Sequence, residues 1–263
     1  GVVGVHVDDF LSAGNDQFMN HIIPKVLQDF TIGKAEDQIF MYTGFKLTQD
    51  SNGITLDQTD YVENIELLDL DENRLKMTNA KMFDNELTFL RMYAGSLNWA
   101  VGATRPDLSF DMISLSTQFK GGNVATLKQA HSVMKQLKKA PAFVRISNLE
   151  NLEQCELWCF SDAAHRNLNN NTDSAGGYIM FIVNIKSGNC APIEWRSNKI
   201  KRRVSSTLGA EVLALVNALD AAIGTRDQLA QITAGKVNLK IKAITDNKSA
   251  RDTIYSEKAL DQK

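Results

Sequence analysis

Five acidic residues stand apart from the other carboxylates because of what flanks them: Asp8, Asp9, Asp162, Glu211 and Asp246. Asp162 follows the alternating run Cys155–Ser161. Asp246 follows Val237–Thr245, in which Val237, Leu239 and Ile241 alternate with Asn238, Lys240 and Lys242. Both sit where a strand runs out, and sites in open α/β sheets gather beyond the carboxyl ends of strands. If those two strands are parallel neighbours, their aspartates converge. Glu211 lies three residues after Leu208 and four before Leu215, on the apolar stripe of a helix over about Leu208–Ile223. Ser206 and Thr207 precede it by five and four residues, not three, so it is not the acidic half of a capping box.

A carboxylate turned toward the buried side of a helix needs a partner, and a divalent cation is a good one. Three oxygen donors with no Cys or His among them suit a hard ion, Mg²⁺ or Mn²⁺. The chemistry this serves is in-line attack on a phosphodiester, where two ions about 3.5–4 Å apart activate water and stabilise the leaving oxygen. The structural alternatives are plain. A strand-ending Asp is commonly a turn residue, and Asp246 ahead of a helix suits an N-cap. Asp8-Asp9 falls at the tip of a hairpin between Val2–Val7 and Phe10-Leu11. Adjacent carboxylates repel and Asp is depleted in strands, an objection that a bound cation removes; an exposed turn is the alternative.

Around these residues the chemistry is weaker. Lys199, Lys201, Arg202 and Arg203 form a basic run that either neutralises nucleic-acid phosphates or is a solvated loop. Trp158, Trp195, Tyr178 and Phe181 alternate in strands and read as sheet packing rather than base-stacking platforms. His165, three residues past Asp162, is placed to assist phosphate chemistry, although a lone loop histidine is usually inert. Cys155, Cys159 and Cys190 make neither a CxxC pair nor a disulfide framework, which fits a reducing compartment. His6, His21, His131 and His165 are too scattered for a zinc site.

The elements that position these side chains change character along the chain. Ile39–Thr48 and Gly53–Leu56 bracket an Asn52-Gly53 hairpin turn. Leu87, Leu90, Ala94, Leu97 and Val101 recur at helical spacing. Pro106 opens a second helix carrying Leu108, Met112, Leu115 and Phe119, and a third covers Val124–Lys139 before Pro141. The polar stretch Ser147–Gln154 marks a module boundary near residue 150. Beyond it, Cys155–Ser161, Gly176–Ile185 and Ala191–Ser197 read as a meander, followed by the helix of Glu211, the strand Val237–Thr245 and a helix from about Asn247. Strands followed by alternating helix and strand predict a mixed α/β (α+β) fold with modules 1–150 and 151–263.

Composition agrees with packed modules: 43% of the 263 residues are hydrophobic and 23% charged, which excludes wholesale disorder. No uninterrupted apolar run reaches the roughly 18 residues of a membrane helix, so no membrane partner is expected. Gly1–Asp9 has no initiator Met or basic leader and reads as a chain cut open within a strand. The net charge of −2 hides an asymmetry. Residues 1–153 carry 14 Lys and Arg against 20 Asp and Glu, whereas residues 154–263 carry 15 against 11. The second module is the better suited to meet phosphates.

Together the motifs resemble the Pol polyprotein of copia-type LTR retrotransposons. Val7-Asp8-Asp9-Phe10-Leu11 resembles the reverse-transcriptase palm hairpin, and Gly44-Phe45-Lys46-Leu47 and Ile54-Thr55-Leu56-Asp57-Gln58 the paired strands after it. Tyr93-Ala94-Gly95-Ser96-Leu97 and Thr104-Arg105-Pro106-Asp107-Leu108 resemble its connection helices. Ser161-Asp162-Ala163, Trp195-Arg196-Ser197, Ser205-Ser206-Thr207, Ala210-Glu211 and Thr245-Asp246-Asn247 resemble its ribonuclease H segment. The resemblance covers nearly the whole chain. It implies a partial reverse-transcriptase palm and connection followed by a ribonuclease H-like mixed sheet, truncated at its C-terminus.

By position, the resemblance assigns polymerase metals to Asp8 and Asp9 and a hybrid-cleaving metal centre to Asp162, Glu211 and Asp246. The implied partners are an RNA–DNA hybrid and an RNA template with a DNA primer. The implied setting is a cytoplasmic virus-like particle with a nuclear phase. The family also has another palm Asp with the fingers, expected before Gly1, and a fourth acidic residue, expected beyond Lys263. An acidic residue and Trp often stand where this chain has Ala164-His165. Polymerase activity of this segment is therefore not expected; residual Mn²⁺- or Mg²⁺-dependent hybrid cleavage is, on three of the expected ligands. A non-catalytic nucleic-acid-binding remnant, and another nuclease or integrase of the ribonuclease H-like type, are the alternatives.

Overall fold

The computed structural model describes residues 1–31, 33–119, 121–168 and 172–255. Among these the chain is a mixed α/β protein with three sheets and separate apolar cores for its two halves.

In the first half, β1 (Val2–His6) and β2 (Asp9–Ala13) pair antiparallel with His6 opposite Asp9, followed by α1 (Ile23–Leu27). The segment expected as one strand over Ile39–Thr48 is two, β3 (Ile39–Tyr42) and β4 (Phe45–Asp50). Thr43 and Gly44 both take left-handed backbone angles, φ 48° and 85°, and reverse the chain between them. The Asn52-Gly53 turn leads as expected into β5 (Gly53–Asp57). A later strand, β6 (Phe143–Ser147), pairs with β5 and completes the order β3-β4-β5-β6. Sequence periodicity did not foresee β6, because five residues after a proline carry too little alternation. At Gly53, φ 143°, a methyl would lie 2.1 Å from the Ile146 carbonyl oxygen, so only glycine lets β6 approach.

Five helices lie between β5 and β6: α2 (Thr59–Glu63), α3 (Glu72–Lys76), α4 (Asp84–Ala103), α5 (Ser109–Ser116) and α6 (Val124–Leu137). Leu90, Tyr93 and Leu97 of α4 pack with Leu127, Met134 and Leu137 of α6 in the first core. Glu86 anchors the start of α4. Its carboxylate accepts the Phe83 N–H at 2.7 Å and a forked pair of bonds from Arg74, both 2.8 Å. Pro106 opens a tight turn before α5, and the buried Arg105 pins that turn to the Leu137 carbonyl and to Asp107.

The second half is a four-stranded sheet ordered β10-β7-β8-β9, from β7 (Cys155–Leu168), β8 (Asp173–Asn184), β9 (Cys190–Lys199) and β10 (Lys240–Ile244). Only the β10–β7 pair is parallel. β7 does not end at Asp162, as expected, but continues to Leu168, because β8 pairs with it up to Ala164 opposite Ala175 before the register shifts. Helix α7 (Thr207–Ile232) outlasts its expected end at Ile223 and covers one face of the sheet. Its residues Ala210, Ala214, Ala218 and Ala222, four apart, are all buried. Leu157, Cys159, Met180 and Ile182 complete that core. Helix α7 is long and apolar enough to cross a membrane by length and composition alone; here its alanine face packs on strands. Helix α8 (Lys248–Tyr255) follows β10. The two halves meet where the Trp195 indole N–H donates to the Val101 carbonyl at 2.7 Å and α5 lies beside β9.

Candidate metal centre

Asp162, Glu211 and Asp246 come together. One carboxylate oxygen from each lies within 4.8 Å of the others, and this is the one group of three or more such ligands among the described residues. The parallel register of β7 and β10 accounts for the two aspartates. Phe160 is level with Ile244, so Asp162, two residues on along β7, and Asp246, two residues past the end of β10, lie at the same height beyond the last rung of that parallel pair. Ser206 caps α7 by accepting the Gly209 N–H at 3.1 Å, and Glu211 enters from the first turns of that helix. Asp246 is free of the N-cap role open to it, because the cap of α8 is Asn247, whose Oδ1 accepts the Ala250 N–H at 2.8 Å.

The three carboxylates are unequal. Asp162 and Asp246 are exposed, while Glu211 is only 5% exposed and its Oε2 has no hydrogen-bond partner. Burial, and after it the charges of Asp162 and Asp246, push the Glu211 carboxyl above its usual range; the Asn247 amide and the Ala163 N–H oppose the rise. Ala163 also donates its N–H to Asp162 Oδ1 at 2.8 Å, fixing that carboxylate on the strand. A buried, unpartnered carboxylate oxygen beside two further carboxylates is a costly arrangement that a hard cation satisfies. The donor set fits such an ion.

A groove of about 480 Å³ opens beside Asp162. Phe160, Ile179 and Trp195 of the sheet form one wall, and Pro106, Asp107 and Phe110 of the first half form the other. On the sequence, these walls are 50 or more residues apart, and nothing in their local pattern signals that they meet. Asn247 was legible as an Asn ahead of a helix, although expectation fell on its neighbour Asp246.

The basic run divides. Lys199 is paired with Asp173 at 2.6 Å, whereas Lys201, Arg202 and Arg203 are exposed in the loop that enters α7. His165 leans on the same loop, its Nε2 3.3 Å from the Val204 carbonyl oxygen. The aromatic side chains pack within the sheet, with Trp158 under the Lys242 ammonium at 4.1 Å and Tyr178 bonded to Glu194 at 2.5 Å. Cys155 and Cys159 are buried thiols, and Cys190 is half-buried.

Asp8 and Asp9 stand elsewhere. Both are exposed on the β1–β2 hairpin, whose turn residue Val7 has φ 56°, and no third ligand joins them into a cluster among the described residues. A β-branched residue in the left-handed region is a strained choice for a turn.

No protein-family model matches this sequence, and no curated protein is significantly similar to it.

Proposed function

We propose that the second half of this chain is a metal-dependent phosphodiesterase that cleaves the RNA strand of an RNA–DNA hybrid. In this reading the chain is a segment of a copia-type retrotransposon reverse transcriptase and ribonuclease H. The observation that carries it is the Asp162–Glu211–Asp246 group with the unpartnered, buried Oε2 of Glu211. Mg²⁺ or Mn²⁺ bound there would lower the pKa of a coordinated water and neutralise charge on the reacting phosphate.

The chain's own residues supply the rest. Asp162 and Asp246 offer solvent-facing carboxylates, and Glu211 presents one from the buried side. Lys201, Arg202 and Arg203 project beside the start of α7, where they neutralise the phosphates that flank the scissile one. Contacts of this type read backbone and shape rather than base edges, as a hybrid requires. The Asp8–Asp9 hairpin is the polymerase end of the same reading, with a primer and template as its partners.

The test is cleavage of a labelled RNA–DNA hybrid by the full chain with Mn²⁺ or Mg²⁺, set against Asp162→Asn. Cleavage by the parent and not by the variant supports the reading. Salt-sensitive binding with no cleavage, unchanged in Asp162→Asn, would replace it with a non-catalytic nucleic-acid-binding remnant. Cleavage of duplex DNA in preference to hybrid would replace it with another nuclease class.

A further inference from the structure

We infer that the contact between Gly176 and Ala214 sets how deeply α7 seats on the sheet, and so holds Glu211 within reach of Asp162 and Asp246; Gly176 is a positioning residue for the metal centre. The inference rests on the proposed metal-dependent reading of that centre. Gly176 lies on β8 directly opposite Ala163, next to the Gly177–Asp162 pair. Ala214 is three residues beyond Glu211, one turn further along the same face of α7. The residues that touch are therefore immediate neighbours of the residues that would bind metal.

A Cβ at Gly176 would lie 3.2 Å from the Ala214 methyl and 3.4 Å from both Cγ1 and Cδ1 of Ile200. The Ile200 side chain has rotamers through which to yield. The Ala214 methyl has none: it is fixed to the helix backbone, and Ala214 is buried. The added atom is therefore accommodated by lifting the helix. Ala210, Ala218 and Ala222 lie on the same stripe, so the approach is set by small contacts along its length rather than by one long side chain. A lift of a few tenths of an ångström at this end carries Glu211 with it. Small divalent cations such as Mg²⁺ demand near-ideal ligand positions at about 2.0–2.1 Å, so such a shift weakens binding.

The experiment titrates Mn²⁺ into the full chain and reads free Mn²⁺ by electron paramagnetic resonance, with circular dichroism recording the fold. Gly176→Ala is expected to weaken Mn²⁺ binding about tenfold, the scale seen when groups that orient metal ligands are altered. Adding Ala214→Gly moves the methyl from the helix to the strand side of the same contact, and is expected to restore affinity to within about threefold of the parent even though a helical glycine lowers the melting temperature. A merely structural role predicts the opposite order, with the double variant the weaker binder. Ala214→Ser, which enlarges the contact from the helix side, is the second probe should Gly176→Ala fail to fold, and it is expected to weaken binding likewise. A folded Gly176→Ala that binds Mn²⁺ as the parent does, or a double variant that stays weak, overturns the inference while leaving the metal centre standing. Failure of the parent itself to bind Mn²⁺ more tightly than Glu211→Gln overturns the metal reading, and this inference with it.

Discussion

Asp162 and Asp246 each lie two residues past Phe160 and Ile244, the last rung that joins their parallel strands. The register does the positioning. Side chains alternate across a strand, so a slip of one residue would turn one of the two carboxylates to the opposite face of the sheet. Glu211 then has only to arrive from above, on a helix whose buried stripe is alanine.

Removing the buried carboxylate separates its two effects. Glu211→Gln is expected to slow hybrid cleavage by about a hundredfold or more, the scale of losing a group that stabilises charge in the transition state. The effect on stability is opposite in sign. Burial, and then Asp162 and Asp246, hold the Glu211 carboxyl above its ordinary value of 4.5. The folded chain therefore retains this proton more tightly than the unfolded chain does. The contribution is most favourable below the ordinary value and is lost as pH rises through the elevated folded one. In chelator, Glu211→Gln should melt higher than the parent by a margin that grows over that rise. Mn²⁺ should raise the melting temperature of the parent alone, as thermal scans across pH with and without the ion will report.

The exposed loop ahead of α7 should govern salt dependence. Replacing Lys201, Arg202 and Arg203 together by Ala is expected to reduce the slope of log affinity for a hybrid against log salt concentration by about 2–3, with about 0.7–0.9 lost for each phosphate contact removed. Lys199→Ala should change the slope less, because that ammonium already faces Asp173. Filter binding over a salt series distinguishes them.

Arg74 and Glu86 form a largely buried ion pair, with the Arg74 guanidinium also 4.1 Å from the centre of the Phe83 ring. Arg74→Ala strands the Glu86 carboxylate and is expected to lower the midpoint of urea unfolding near neutral pH. Arg74 is the main cause that holds the Glu86 carboxyl below its usual range. A lowered folded pKa gives stability that is present above the unfolded value and is lost as pH falls through the folded one. The gap between parent and variant should accordingly narrow in acid.

Trp195 gives the carbonyl of Val101, near the C-terminal end of α4, a donor from the other half of the chain. Trp195→Phe keeps most of the ring and removes that donor, at an expected cost of about 1–3 kcal/mol. Hydrogen exchange should rise at the α4–α5 junction and along β9 while the first core stays protected. Unchanged exchange there would show that the bond does not couple the two halves.

Local pattern was enough to mark the longer helices and the strands around Asp162, Glu211 and Asp246, but not β6 or the short helices α1, α2 and α3. The periodicity of Leu90, Leu97 and Val101 marked α4. The same arithmetic put Glu211 on a buried stripe, because a 3.6-residue repeat reports which face of a helix meets the core. Alternation marked the strands that carry Asp162 and Asp246. Tertiary structure decided which strands are neighbours. It made β10 parallel to β7, carried β7 past Asp162, added β6 to β5, and brought Pro106–Phe110 against Phe160 and Trp195. Such pairings join segments tens of residues apart. They are selected by loop closure and by the fit of whole faces, quantities that no window of ten residues contains. The depth of α7 over the sheet belongs to the same class, since it depends on two small residues, Gly176 and Ala214, whose meeting only the folded chain brings about.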